Sequence, residues 1–574
     1  MVTESTTEPI TTQLVEQAEG KQLTGAQILF ECLMREGVEV IFGLPGGTVI
    51  PIYDEMLNYP VRHVLVRHEQ AAAHAADGYA RATGRVGVCI GTSGPGATNL
   101  VTGIATAYLD SSPMVIITGQ VATHLIGRDS FQEIDITGIT LPITKHNFLV
   151  QRVEDLARTI KKAFHLASTG RPGPVHIDIP RDLQTTSTTF EYPKTIQLRS
   201  YRPTLYGNIR QVRQAAQLIN SAQRPLIIAG RGITIAGASS ELRQVAERTD
   251  VPVVTTLLGI SSFPESHRLS FGMIGMHGMA YANKAVNTAD LVIGIGLRFD
   301  DRATGKPANF APNAKLIHID IDPAEIGKNV RVDIPIVGDA KNVLTQLLRE
   351  VEVREHNAWV AQLCEWRIQY PSLEVRESPS VLPQHIIRQL CEVTKGDATV
   401  IADVGQHQMW AAQQFWYDRP NTFMTSGGLG TMGSSLPLAI GVKIGSPIEN
   451  VWVITGDGGF QMNLQELATI TQEKLPIKIA IMNNGFLGMV RQWQDLFYQR
   501  RYSATRINGP DFVRLAEAYG IRGIRVNTKD EIRPALQEAA DYDGPILIDF
   551  MVEPEENVYP MVPPGGALSD MIYD

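Results

Sequence analysis

Val451-Trp452-Val453-Ile454-Thr455-Gly456-Asp457-Gly458-Gly459 is the stretch whose reading decides the fold of this 574-residue chain. Its first four residues are a short apolar, β-rich run, and the glycines that follow end it. A helix-like window, Leu464 to Thr471, comes next, then a second apolar run, Ile477 to Ile481, and the pair Asn483-Asn484. Strand, helix and strand of these lengths make one βαβ unit. A right-handed crossover lays the two strands parallel, so the loops bearing Asp457 and Asn484 leave the sheet at the same edge. A carboxylate, an amide oxygen and the backbone carbonyl of Phe486 then form a partial oxygen shell of the kind Mg²⁺ accepts, with positions left for diphosphate and water. The glycines Gly456, Gly458 and Gly459 let backbone approach phosphate closely. Taken alone, Gly-Asp-Gly also reads as a turn and Asn-Asn as a strand cap. A nucleotide fingerprint is the other competitor, but Gly230-x-Gly232 and Gly294-x-Gly296 both lack the last glycine of G-x-G-x-x-G.

Working outward, the same alternation recurs. From Val38 to about Pro180, Val38-Glu39-Val40-Ile41-Phe42, Val86-Gly87-Val88-Cys89-Ile90 and Met114-Val115-Ile116-Ile117 alternate with Ala-rich helical windows. A second series runs through Leu226-Ile227-Ile228-Ala229, Val251-Pro252-Val253-Val254, Leu291-Val292-Ile293-Gly294 and Lys315-Leu316-Ile317-His318-Ile319. The expected fold is α/β, with three doubly wound parallel-sheet domains at 23–190, 214–350 and 381–558. Linkers are expected at 191–213 and at the charged stretch 351–380, a disordered extension at 1–22, and a separate tail at 559–574. Ser93-Gly94-Pro95-Gly96 and Ser426-Gly427-Gly428-Leu429-Gly430 hint that the first and third domains are duplicates.

Composition narrows the function. With 44% hydrophobic and 19% charged residues this is an ordinary globular enzyme composition, and a net charge of −9 without a Lys/Arg block argues against nucleic acid as a partner. No apolar run reaches membrane-spanning length, so no membrane partner is expected. The isolated cysteines Cys32, Cys89, Cys364 and Cys391 read as reduced packing residues. The first twenty residues carry Glu4, Glu8, Glu16 and Glu19 and no arginine, unlike a transit peptide.

Gly-Asp-Gly, a βα-sized gap and Asn-Asn together resemble the fingerprint of thiamine-diphosphate-dependent enzymes. In that superfamily a glutamate just after a strand of the first domain hydrogen-bonds the cofactor's pyrimidine ring. Val64-Leu65-Val66-Arg67-His68-Glu69-Gln70-Ala71-Ala72 places Glu69 there, at the head of an Ala-rich helix among apolar neighbours that would favour its protonated form. A first-turn glutamate serving the helix dipole is the plainer reading. The resemblance further implies that Met432 props the cofactor's bend while the Gly430 carbonyl accepts from its amine, and that Gln406, His407 and Met489 line its site. A core methionine is the plainer reading of Met432.

Phe42-Gly43-Leu44-Pro45-Gly46-Gly47, Arg67-His68-Glu69-Gln70-Ala71, Ser130-Phe131-Gln132-Glu133, Arg298-Phe299-Asp300-Asp301-Arg302, Gly456-Asp457-Gly458 and Met489-Val490-Arg491-Gln492-Trp493 narrow the resemblance. Along almost its whole length the chain resembles the catalytic subunits of the acetohydroxyacid (acetolactate) synthase family. That resemblance implies decarboxylation of pyruvate and transfer of the two-carbon unit to pyruvate or 2-ketobutyrate, giving 2-acetolactate or 2-aceto-2-hydroxybutyrate for valine, leucine and isoleucine biosynthesis. It implies Gly47, Phe131 and Gln132 at the reaction centre, and Arg298, Trp493 and Met489 selecting the second 2-keto acid. A guanidinium grips a carboxylate through paired donors, and an indole face favours a larger aliphatic acceptor. Read singly, Arg298 is a surface partner of Asp300 or Asp301, and Trp493 is core.

The resemblance implies a non-redox FAD in the central domain, on Gly230, Arg231, Gly232, Met276, His277, Gly296, Arg298, Asp300, Arg302, Asp320, Ile321 and Asp339. It implies a homodimer or homotetramer with Glu69 and the metal loop meeting across a dimer interface, a smaller regulatory subunit, and a cytoplasmic or plastid-stromal location. The tail from Tyr559 to Gly566 resembles a lid that orders over the site. The sequence departs from many relatives at Gly485-Phe486-Leu487-Gly488, where they carry polar residues, and at Arg181, where some carry lysine. The rivals are a flavin-using oxidase or a decarboxylase of the same superfamily, and a cofactor-binding scaffold without activity. The simple decarboxylases use a His-His pair that this chain lacks, although His407 and His68 remain as proton donors.

Overall fold

In the computed structural model of the chain, residues 18–573 are described. They pack as two compact units, the first formed by the stretch ending at Arg202 together with Gly428–Pro447 and Gln465–Leu475, the second by Pro203–Gly427, Ile448–Leu464 and the chain from Pro476 onward.

The first unit carries β1 (Gln22–Thr24), β2 (Val40–Gly43), β3 (Arg62–Leu65), β4 (Gly87–Gly91), β5 (Met114–Gln120), β6 (His146–Leu149), β7 (Pro174–Pro180) and β8 (Ser187–Thr189). Six of them make a sheet in the order β3-β2-β4-β5-β7-β6, with every pair parallel. β4, β5 and β7 are buried along their whole lengths, which is why they read as unbroken apolar runs rather than alternating ones. β1 pairs antiparallel with β8, Gln22 opposite Thr189, and Ala18 is buried. The expected extension therefore gives way to ordered chain by Ala18, because backbone pairing with β8 continues through Gly20 and Lys21 onto Phe190. The remainder of 1–22 lies outside the described residues.

The second unit holds two further sheets. β9 (Pro225–Ala229), β10 (Val253–Thr255), β11 (Ser270–Met273), β12 (Leu291–Ile295), β13 (Lys315–Asp320) and β14 (Ile334–Val337) are ordered β11-β10-β9-β12-β13-β14. β15 (Thr399–Ala402), β16 (Phe423–Met424), β17 (Val451–Gly456), β18 (Lys478–Asn483), β19 (Arg522–Val526) and β20 (Ile546–Met551) are ordered β16-β15-β17-β18-β20-β19. All of these pairs are parallel, so the described residues contain three parallel six-stranded sheets. Numbered along the chain, the first and third sheets share the strand order 2-1-3-4-6-5, the relation that the repeated Ser-Gly turns hint at. The middle sheet is 3-2-1-4-5-6, the dinucleotide-binding order.

Three expectations change at element level. The segment Gly428–Pro447, expected within 381–558, packs in the first unit. Its helix Ser435–Gly445 lies against the helix Glu69–Thr83, and a Cβ on Gly441 would stand 1.8 Å from the Ala75 carbonyl oxygen and one on Gly78 2.1 Å from that of Leu438. Only glycine permits that approach. Second, the expected linker 351–380 contains the helix Asn357–Gln369, which buries Trp359, Leu363 and Trp366 against the central sheet's core. Their i, i+4, i+7 spacing is an apolar stripe that the surrounding charges obscure. Third, the tail is docked: Val558, Met561, Val562 and Leu568 are buried, and the Val562 N–H donates to the Met276 carbonyl. Cys32 and Cys89 are packing residues, but Cys364 is exposed, on the outward side of the helix Asn357–Gln369. Among the described residues no helix is long and apolar enough to cross a membrane.

Candidate functional site

The third sheet brings the metal-loop residues together. Its strand order reverses between β15 and β17, the position at which open α/β sheets open a crevice. Gly456 ends β17 opposite Met482 of β18, so the loops carrying Asp457 and Asn484 leave from adjacent strand ends, as the βαβ reading expects. Asp457 is 2% exposed, and its Oδ2 has no hydrogen-bond partner among the described residues. Burial pushes its carboxyl up to about 6, against N–H groups including those of Gly458, Gly485 and Asn484. Asn484 Oδ1 accepts from the Phe486 N–H at 3.0 Å, while its amide nitrogen faces Gln406 Oε1 at 3.5 Å. The Phe486 carbonyl takes no hydrogen bond among the described residues. One buried carboxylate with an unused oxygen, beside amide and carbonyl oxygens, is the donor chemistry of a hard divalent cation. Among the described residues no group of three or more His, Cys, Asp or Glu competes with it.

Gln406 and His407 follow β15 on the same sheet. Gln406 Nε2 donates to Gln492 Oε1 and to the Glu556 carbonyl, both at 2.8 Å. His407 lies against Gly456, and a Cβ on that glycine would be 3.0 Å from the imidazole. Burial holds His407 down to about 4, so the ring is neutral at neutral pH. Met489 is half-buried at the start of the helix Gly488–Phe497.

In the first unit, Glu69 opens the helix Glu69–Thr83, whose N-cap is His68, its Nδ1 accepting from the Gln70 N–H. Glu69 is nevertheless only 7% exposed and accepts from Asn99 Nδ2 at 3.0 Å, which a glutamate serving only the helix dipole would not need. Asn99 ends the short helix Pro95–Asn99, which follows β4 and Ser93-Gly94, and nothing local in the sequence marks it. Gly47 has open space where a side chain would stand, beside Thr48, whose Oγ1 lies 3.0 Å from Thr92 Oγ1. Gln132 adopts φ +60° and lies against Gly94, while Phe131 is 88% exposed. Gly430 is exposed and Met432 half-buried, so Met432 is not a core methionine. Their loop is pinned by Gly428 N–H donating to Asp110 Oδ1 at 2.7 Å and by Thr431 on Thr106 at 2.8 Å. The sequence reading missed both anchors, since neither pair is close in sequence.

In the central sheet the reversal falls between β9 and β12. There Gly230 and Gly232 pack on Gly296: a Cβ on Gly230 would be 2.2 Å from the Gly296 carbonyl oxygen, and one on Gly232 2.6 Å from its Cα. Arg231 and Ile321 are half-buried at strand ends of this sheet. Asp300 and Asp339 cap the helices Asp301–Thr304 and Ala340–Leu347, and Asp320 Oδ1 accepts from the Asp322 N–H. His277 is buried against the Pro560 carbonyl, and burial lowers it to about 4. Met276 accepts from the tail and donates to the Arg302 carbonyl. The ion pair expected of Arg298 belongs to Arg302 and Asp301, at 3.4 Å, and among the described residues Arg298 has no carboxylate partner. Trp493 is half-buried rather than core, with the Arg302 guanidinium 5.9 Å from its ring and Phe497 edge-on at 5.8 Å.

Three parallel sheets with these loops match models of the thiamine pyrophosphate enzymes: the N-terminal TPP binding domain over residues 23–139, the central domain over 212–347 and the C-terminal TPP binding domain over 403–550. The fold and site define a thiamine pyrophosphate enzyme. The chain is 51% identical to the acetolactate synthase large subunit of Corynebacterium glutamicum, covering 96% of this chain and 90% of that one. It is 48% identical to that of Haemophilus influenzae, covering 96% and 98%, and 50% identical to the acetolactate synthase of Mycobacterium leprae, covering 96% and 91%. The chain belongs to the acetolactate synthase family.

Proposed function

We propose that this chain decarboxylates pyruvate and joins the two-carbon unit to pyruvate or 2-ketobutyrate, releasing 2-acetolactate or 2-aceto-2-hydroxybutyrate for branched-chain amino-acid synthesis. The observation that carries the reading is the buried Asp457 carboxylate, with an oxygen left unused beside Asn484 and Phe486, in a chain of this family. Asp457, Asn484 and the Phe486 carbonyl would hold Mg²⁺, and the loop Gly456 to Gly459 would receive the diphosphate with backbone donors. Thiamine diphosphate, when bound, supplies the acidic ring carbon and the electron sink that decarboxylation requires. Glu69, kept from water and oriented by Asn99, holds and moves the proton on the pyrimidine ring. Met432 would support the cofactor, and the Gly430 carbonyl would be its hydrogen-bond acceptor. Gly47, Phe131 and Gln132 border the reacting carbon.

Release of aldehyde needs a proton at that carbon. The neutral His407 is a poor donor near pH 7, which favours joining over release. Arg298, without a carboxylate partner among the described residues, is available to the second substrate's carboxylate, and the half-buried Trp493 favours the larger acceptor. FAD fits the middle sheet's 3-2-1-4-5-6 order and the Gly230, Gly232 and Gly296 crossing, and its role is structural because the net reaction is redox-neutral. The working enzyme is a homodimer or homotetramer in a cytoplasmic or stromal compartment, paired with a smaller regulatory subunit. The test is a product assay with pyruvate, Mg²⁺, thiamine diphosphate and FAD. Acetolactate without oxygen uptake is expected, and acetaldehyde or oxygen consumption as the main signal would reject the synthase reading.

A further inference from the structure

The segment between β5 and β6 that carries Phe131 and Gln132 has an unusual backbone. Gly127 has φ +81°, and Asp129 and Gln132 have φ +53° and +60° without being glycine. Non-glycine residues in the left-handed region are strained and persist only where surrounding contacts over-determine them. Here the contacts converge on one side chain. The Glu133 carboxylate accepts from the Gly127 N–H, from the Ser130 N–H at 2.9 Å and from the Arg128 N–H at 3.3 Å, while its own N–H donates to the Ser130 carbonyl at 2.9 Å. Successive N–H groups in alternating right- and left-handed conformation form a concavity that binds an anion, and the anion in this one is part of the loop. The far end is tied to the sheet: Gln120 Nε2 donates to the Ile134 carbonyl at 2.9 Å and to the buried Asp178 at 3.0 Å. Held in this way, Gln132 rests on Gly94, where a Cβ would stand 3.0 Å from its Cα, and Gly94 caps the short helix Pro95–Asn99, which ends at Asn99, the partner of Glu69.

We infer that Glu133 is a positioning residue for the reaction: its carboxylate acts as an internal anion that holds the strained loop 127–134 and so sets where Phe131 and Gln132 stand. This rests on the reading that Phe131 and Gln132 border the reacting carbon. The backbone donors from Gly127 and Ser130 keep Glu133 below the usual carboxylate range, so the brace is ionised throughout the neutral range. Glu133 is half-exposed on a loop that contributes little core, so its removal disturbs placement rather than folding. Misplacement of a catalytic contact by about 1 Å costs on the order of 100-fold in rate.

The test compares Glu133→Ala, Glu133→Gln and Gln132→Ala in the holoenzyme, with kcat/KM for pyruvate and the thermal midpoint measured on each. The expectation is a fall of about 10- to 100-fold for Glu133→Ala at an unchanged midpoint. Glu133→Gln, which keeps the length but removes the charge and replaces one acceptor oxygen with a donor, should recover only a minor part of that loss. Glu133→Ala within about twofold of the parent, while Gln132→Ala is impaired, would overturn the inference and leave the site reading standing. Gln132→Ala without effect would instead overturn the site reading, and the inference with it. A midpoint that drops in step with activity in Glu133→Ala would assign the residue to stability and reject the positioning role.

Discussion

Glu69 and Asp457 are both carboxylates taken out of water at the end of a strand, yet their surroundings give them different work. Glu69 keeps one neutral partner, the Asn99 amide, and that amide fixes the carboxylate's orientation without neutralising it. Asp457 is surrounded by N–H groups, yet its Oδ2 has no hydrogen-bond partner among the described residues, the donor chemistry that suits a cation better than a neutral ligand. Substituting Glu69→Gln keeps size and one acceptor while abolishing proton transfer, so turnover should fall by roughly 100-fold or more, with diphosphate affinity nearly intact. Steady-state turnover beside a calorimetric titration with thiamine diphosphate and Mg²⁺ measures both, and unchanged turnover would reject the role. The candidate site residues were legible in the sequence because Gly-Asp-Gly, Asn-Asn and Arg-His-Glu-Gln are contiguous patterns. The residues that orient them were not: Asn99 is thirty positions from Glu69, and Asp110 more than three hundred from Gly428.

Elements were legible wherever a period is carried by a contiguous window. β5 and β7 announce themselves as unbroken apolar runs, whereas the helix Asn357–Gln369 hides a stripe of only Trp359, Leu363 and Trp366 among charges. The helix pair Glu69–Thr83 and Ser435–Gly445 is the element on which the placement of the Gly430 and Met432 loop depends. Its close approach rests on backbone touching backbone at Gly78 and Gly441. Adding one methyl group at Gly441, 1.8 Å from the Ala75 carbonyl oxygen, has to separate the helices. Gly441→Ala should therefore cost roughly 1–3 kcal/mol or more, although alanine is the better helix former. Denaturant unfolding followed by circular dichroism checks this, and a stabilised variant would show that the helices do not pack as described.

At the scale of the whole molecule, Glu69 belongs to one unit and Asp457 to the other. If a second copy completes each site, specific activity should fall on dilution in step with the dimer population measured by sedimentation. Activity independent of concentration well below the dissociation constant would reject a shared site. The sequence by itself determined that the chain is α/β with three parallel sheets, and which loops carry Asp457, Asn484 and Glu69. Those features follow from short unbroken apolar runs that alternate with helical windows and from glycines at strand ends, all of which act within a few residues. Only the tertiary structure decided that Gly428–Pro447 and Gln465–Leu475 join the first unit, that the tail docks through Val562 and Leu568, and that Asn99 orients Glu69. Each of these is a contact between residues far apart in sequence. Such contacts are selected by complementary shape and hydrogen-bond satisfaction in a packed interior, which no local pattern encodes.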